Sequence, residues 1–172
     1  YPERYYGEDD IIIDFLKFPN EFGLPTVLHE MKLVSGFNGE LINWPSKLLQ
    51  KVFNETNIVA VKEDSKDDQI AIEVLKLCKE NSVSFVLAGG GKRRALKFLD
   101  LGIQTWLNGS TMFAPSLIDK AYQAFVTKET KFIQMYLDNI EDPFFDQIVS
   151  KYGWHLSHKA ILEYFGYGKR HE

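Results

Sequence analysis

Asn57-Ile58-Val59-Ala60-Val61-Lys62-Glu63-Asp64-Ser65 is the stretch on which the fold turns. Its first part is a short, almost wholly apolar run between Asn57 and the polar cluster that begins at Glu63. Such a run predicts a strand buried on both faces, as in a parallel sheet. Side chains alternate along a strand, so Ile58, Ala60, Lys62 and Asp64 share one side, with Val59, Val61 and Glu63 on the other. The strand therefore ends on a lysine that sits above apolar residues.

Outward from it, strands and helices alternate. Asp67 or Asp68 can cap a helix whose apolar positions are Ile70, Ile72, Val74, Leu75, Leu77 and Cys78. A strand over Ser84–Ala88 follows, then Gly89-Gly90-Gly91, a helix from Lys92 to Leu101, a strand over Gly102–Leu107, and a helix that Pro115 opens and that runs to about Val126. Upstream, Pro25–His29 reads as a strand and about Trp44–Phe53 as a helix with Pro45 in its first turn; a short helix over Ile11–Phe18 comes first. Strands that alternate with helices imply parallel strands and right-handed crossovers. After about residue 128 the strands stop, and Thr130–Ile140, Pro143–Tyr152 and Leu156–Phe165 read as three terminal helices. The expected division is residues 1–127 for the βα part and 128–172 for a helical extension of the same domain.

The chain has 172 residues, 45% hydrophobic and 26% charged, enough to bury a core without disulfides or metals. A net charge of −4 gives no bulk attraction to nucleic acid or an anionic membrane. No apolar run approaches a membrane span, and the N-terminus does not read as a signal peptide. Cys78, the one cysteine, reads as a buried small hydrophobe in a reducing compartment, so a cytoplasmic location is expected. His155 and His158 are three apart, yet no third ligand accompanies them, so no metal is expected. The acidic set Glu63, Asp64, Asp67 and Asp68 reads as a solvated, helix-capping face, and Trp154, Tyr164, Phe165 and Tyr167 as packing for the terminal helices or an oligomer contact.

Lys62 has two readings on spacing alone: a surface lysine leaving the sheet, or an amine at the C-terminal mouth of a barrel strand, where barrel chemistry sits. Apolar walls favour the neutral amine, the form that attacks a ketone. The stretch Asn57–Ser65 resembles the Schiff-base strand of the dihydrodipicolinate synthase/N-acetylneuraminate lyase family, N-I-V-G-I-K-E-A-S followed by G-D. Leu24–Leu28 is similar to the family's fifth strand, Val86–Gly91 to its seventh strand and S-G-D-D turn, Gly102–Pro115 to its eighth strand, and Lys159–Gly166 to its terminal helices. The resemblance implies an α/β fold, a (β/α)8 TIM barrel represented by its later βα units plus C-terminal helices. It implies a class I lyase or synthase in which Lys62 condenses with a 2-oxo acid such as pyruvate. No metal or organic cofactor is then implied, because the lysine imine is the electron sink. By matching positions, Gly89 and Leu107 would supply backbone groups near the substrate, and Asn108 is a further candidate contact.

Three departures stand beside that likeness. The family's fifth strand ends in Y-N-x-P, whose tyrosine relays protons; here the stretch is His29-Glu30-Met31-Lys32, with His29 in the tyrosine's place. Imidazole can carry that relay, or His29 is simply hydrogen-bonded at the mouth. Gly89-Gly90-Gly91 precedes Lys92, Arg93 and Arg94 where the family often has acids, which suits an anion or a tight turn. Thr105 replaces a glycine common in the eighth strand, and Asn108-Gly109-Ser110-Thr111 resembles the lyase branch's G-S-T segment, to bind hydroxyls or to cap the next segment. The rival reading is a degenerate barrel that binds a sugar acid or serves as an assembly subunit. The chain opens at Tyr1 and lacks the family's first three strands, so further residues or pairing of copies into a homo-oligomer (dimer or tetramer) is expected.

Overall fold

The computed structural model describes residues 6–10, 16–33, 36, 38–88 and 94–169. Short helical pieces α1 (Glu8–Asp10) and α2 (Lys17–Glu21) come first, and residues 11–15, the beginning of the helix expected over Ile11–Phe18, lie outside the described residues. Then follow β1 (Thr26–Glu30), α3 (Ser46–Glu55), β2 (Ile58–Glu63), α4 (Asp68–Glu80), β3 (Ser84–Leu87), α5 (Arg94–Leu99) and β4 (Thr105–Trp106). The chain divides into two compact units, Tyr1–Gly90 with Ile103–Leu107, and Gly91–Gly102 with Asn108–Glu172. No described helix is long and apolar enough to cross a membrane.

In the first unit the described strands pair in parallel, in the order β1-β2-β3-β4. In-register residues of neighbouring strands project to the same side, which makes rows across the sheet. One row is Leu28, Val61 and Phe85, exposed by only 2%, 1% and 1%. The next row belongs to the opposite face: His29, Lys62, Val86 and Thr105, all half-buried. The expected burial of β2 on both faces holds for Ile58 and Ala60 on one side and for Val61 and Glu63 on the other. Val59 is 40% exposed and Lys62 half-buried.

Local chemistry sets the helix boundaries. Pro45, at φ −59°, stands just before α3, where its missing N–H leaves no helical bond unmade. The Asp67 carboxylate accepts from the Gln69 and Ile70 N–H groups at 2.8 and 3.3 Å and caps α4. Ala71, Val74, Leu75 and Cys78 recur at helical spacing and are buried where α4 packs on β2 and β3. Burial pushes the Cys78 thiol up to about 12, as befits a small hydrophobe.

The second unit is helical. A single tight turn (Gly109–Met112) leads to α6 (Pro115–Val126), which has proline at its first position. Beyond α7 (Thr130–Tyr136), the two expected helices are one helical path over residues 130–152. It widens into i→i+5 turns over Leu137–Glu141 and Phe144–Val149 and then closes as α8 (Ser150–Tyr152). Pro143 keeps helical angles of φ −60° and ψ −40°, and the widened turns on both sides accommodate its missing donor. Gly153, at φ 81°, separates this path from α9 (Trp154–Tyr164). The core of the unit is Phe98, Ala121, Phe125, Ile133, Tyr136 and Leu137.

Candidate active site

Lys62 and His29 are in-register neighbours on adjacent parallel strands, so their side chains leave the same face near the strands' C-terminal ends. Both are half-buried. That combination keeps an amine beside an imidazole while leaving each accessible.

His29 Nε2 lies 3.2 Å from Asp64 Oδ2, with side chains 19% and 12% exposed. An ionised carboxylate only accepts, so the imidazole donates through Nε2. The other carboxylate oxygen, Asp64 Oδ1, is buried and has no hydrogen-bond partner among the described residues. The loop that carries Asp64 is braced on both sides. Buried Glu63 accepts the Ser65 N–H through Oε1 at 2.7 Å. Ser65 Oγ in turn donates to the Asp67 carbonyl and accepts from the Asp67 N–H, both at 3.1 Å. Lys66 completes the turn in the left-handed region, at φ 62°.

A cavity of about 330 Å³ adjoins Asp64, lined also by Lys32, Leu33, Leu41, Ser65 and Lys66. It lies past the C-terminal ends of β1 and β2, and its volume suits a small molecule. Leu33 and Leu41 make its walls apolar, while Lys32 and Lys66 bring exposed ammonium groups to it. The acidic run of the sequence is thus split three ways. Asp64 holds His29, Glu63 ties the loop, and Asp67 caps α4 with Asp68 in that helix's first turn. Among the described residues no cluster of three His, Cys, Asp or Glu side chains is placed to hold a metal.

The other expected contacts lie elsewhere. Gly89 falls outside the described residues. The Leu107 N–H donates to the Leu87 carbonyl at 2.7 Å and extends the sheet ladder beyond β4. Asn108, in the second unit, has its amide engaged within that unit. Its Oδ1 accepts from the Ser110 N–H at 2.8 Å, and its Nδ2 donates to Tyr136 Oη at 2.8 Å and to Glu141 Oε2 at 3.3 Å. Of the two readings open for residues 108–111, the geometry displays capping. Burial pushes the Tyr136 hydroxyl up to about 12, with the neighbouring Ser110 and Asn108 acting in the opposite sense. A Cβ on Gly109 would fall 2.6 Å from both His158 Nε2 and the Trp154 ring, so this glycine is where the loop meets α9. His158 is buried with Nδ1 2.7 Å from the Trp154 carbonyl, whereas His155 is exposed. His171 lies outside the described residues. Tyr164 and Tyr167 are exposed and do not pack the terminal helices, while Trp154 stacks on His158 at 4.1 Å between ring centroids.

The sequence reading missed the pairing of Asp64 with His29. The signal was present in two places: alternation sets Asp64 on the Lys62 side, and the resembling family carries alanine there.

No family model matches the chain, and no curated protein matches it. Solved structures do. Dihydrodipicolinate synthase from Bacteroides thetaiotaomicron matches at a TM-score of 0.73 and 17% identity, over 98% of this chain and 56% of that one. The Oceanobacillus iheyensis enzyme of the same name gives a TM-score of 0.74 at 14% identity, over 98% and 54%. That of Bacillus clausii gives 0.71 at 15% identity, over 94% and 52%. The chain spans about half the length of the structures it matches. Its parallel strands, intervening helices and terminal helices have the fold of the C-terminal part of the dihydrodipicolinate synthase (β/α)8 barrel.

Proposed function

We propose that this chain carries the reacting lysine of a Schiff-base-forming lyase or synthase that acts on a 2-oxo acid. The observation that carries this reading is the pairing of Lys62 with His29, side by side on one half-buried sheet face at the strands' C-terminal ends. In the reaction, Lys62 Nζ attacks the 2-oxo carbon and water leaves, giving an iminium. Loss of a proton from C3, or cleavage of the C3–C4 bond, sends an electron pair to the iminium nitrogen. His29 carries the proton in either case. The cavity beside Asp64 suits an acid ligand, because Lys32 and Lys66 line it together with Leu33 and Leu41; Lys62 and His29 are not among its lining residues. Gly89 and Leu107 backbone groups are proposed as further substrate contacts. Assembly into a dimer or tetramer belongs to the same proposal, and light scattering checks it.

Borohydride reduction in the presence of pyruvate tests the reading. The expected result is one covalent adduct, mapped to Lys62 by peptide mass analysis and absent from Lys62→Arg with its circular dichroism unchanged. An unmodified Lys62 in the full chain overturns the Schiff base. The substitution of His29 for the family's tyrosine favours a second reading, a barrel that binds a sugar acid without chemistry. Saturable binding with no adduct is its signature.

A further inference from the structure

We infer that Asp64 is the positioning residue of His29, and that the two work as a carboxylate–imidazole pair that replaces a single proton-relaying hydroxyl. The inference rests on the Schiff-base reading of Lys62. Its ground is the 3.2 Å contact between His29 Nε2 and Asp64 Oδ2, two residues separated by 35 positions, one in β1 and the other in the loop that follows β2. The carboxylate accepts from Nε2–H, which fixes the tautomer and leaves the imidazole lone pair on Nδ1. A base whose ring is held and whose tautomer is set needs no reorganisation when the proton moves.

Three further observations bear on the pair. The chain departs from the resembling family at both positions together, histidine for tyrosine and aspartate for alanine. The Asp64 loop is immobilised by the Glu63, Ser65 and Asp67 hydrogen bonds, as a positioning residue requires. Asp64 Oδ1 is buried without a hydrogen-bond partner among the described residues, beside the cavity that Asp64 lines. Leaving a carboxylate oxygen in that state costs stability, so the pair does not serve folding alone.

The proton step balances within the pair. From the Lys62 iminium, His29 Nδ1 takes a C3 proton and the C3–H electron pair forms the enamine. The imidazolium, its Nε2–H held on the Asp64 carboxylate, later returns a proton to C3. Hydrolysis then restores Lys62 and the 2-oxo acid. Nothing is oxidised or reduced.

Exchange of the pyruvate methyl hydrogens in D2O, followed by proton NMR, reads this step apart from imine formation, which borohydride trapping reads. Asp64→Asn and Asp64→Ala are expected to slow exchange about 100-fold or more with the Lys62 adduct retained, and Asp64→Glu to recover most of it. In a His29→Phe background, Asp64→Asn should add no further loss, because the two act as a unit. Exchange within about twofold of wild type, with the adduct intact, overturns the pair alone. No adduct in the wild-type chain overturns the Lys62 reading and the pair with it. If the Asp64 variants do not fold, nitrogen-15 correlation of the wild-type His29 ring decides: protonation of Nε2 in the neutral ring supports the pair, and protonation of Nδ1 overturns it.

Discussion

The two faces of the sheet are built from alternate residues of the same strands, and they differ in everything else. Leu28, Val61 and Phe85 form a nearly sealed apolar row, while His29, Lys62, Val86 and Thr105 form a half-buried row that carries the titratable groups. A one-residue slip in register would exchange the two rows. The covered row holds the strands in place, and the other row uses that rigidity to keep an amine and an imidazole adjacent. A sealed apolar row and a titratable row are thereby separated by a single step along the chain.

Substitutions on each side break or sharpen that contrast. The largest effect is expected for Phe85→Ala, which empties a fully buried site and should cost about 3–5 kcal/mol in urea unfolding. A cost below about 1 kcal/mol would show that the row is not the core. Next comes the alkaline response of Cys78, buried on α4. Its folded thiol is raised from 9.0 to about 12, so the folded state keeps a proton that the unfolded chain releases. Its contribution is therefore complete below about pH 9 and lost as pH rises towards 12, at up to roughly 1.4 kcal/mol per pH unit. Cys78→Ala should flatten that fall in a comparison of unfolding at pH 8 and pH 10.5; identical slopes would remove the thiol from the account. Asp67→Ala, which uncaps α4, is expected to cost about 1 kcal/mol by the same unfolding measurement. The smallest effect belongs to Val27→Thr. Val27 is 55% exposed, and its loss should shift stability by no more than about 0.5 kcal/mol.

Much of the first unit was legible because its signals are local. Asn57 and Glu63 bracket an apolar run, Asp67 is a cap, and Pro45 stands where proline begins a helix, as Pro115 does in the second unit. The strand reading of Gly102–Leu107 shrank to two residues, Thr105 and Trp106, because a strand's length depends on its neighbours. Pro143 misled for a related reason. Proline predicts a break only while the helix keeps its ordinary width, and this helix widens on both sides of it. Of the candidate site, Lys62 and His29 were visible from alternation and resemblance. Asp64 was marked by alternation and by the family's alanine, but no local signal pairs it with a histidine 35 residues earlier.

The close approach at Gly109 bears on how short motifs are used to infer relationship. Its Cα sits against His158 and Trp154, so any larger residue there would collide with the terminal helix. The glycine of this Gly-Ser-Thr segment is accounted for by packing alone, and the serine and threonine take part in the local turn. A match on that tripeptide therefore need not mean a shared ligand, because packing against the last helix suffices to require the glycine here. In this chain the tripeptide reports architecture.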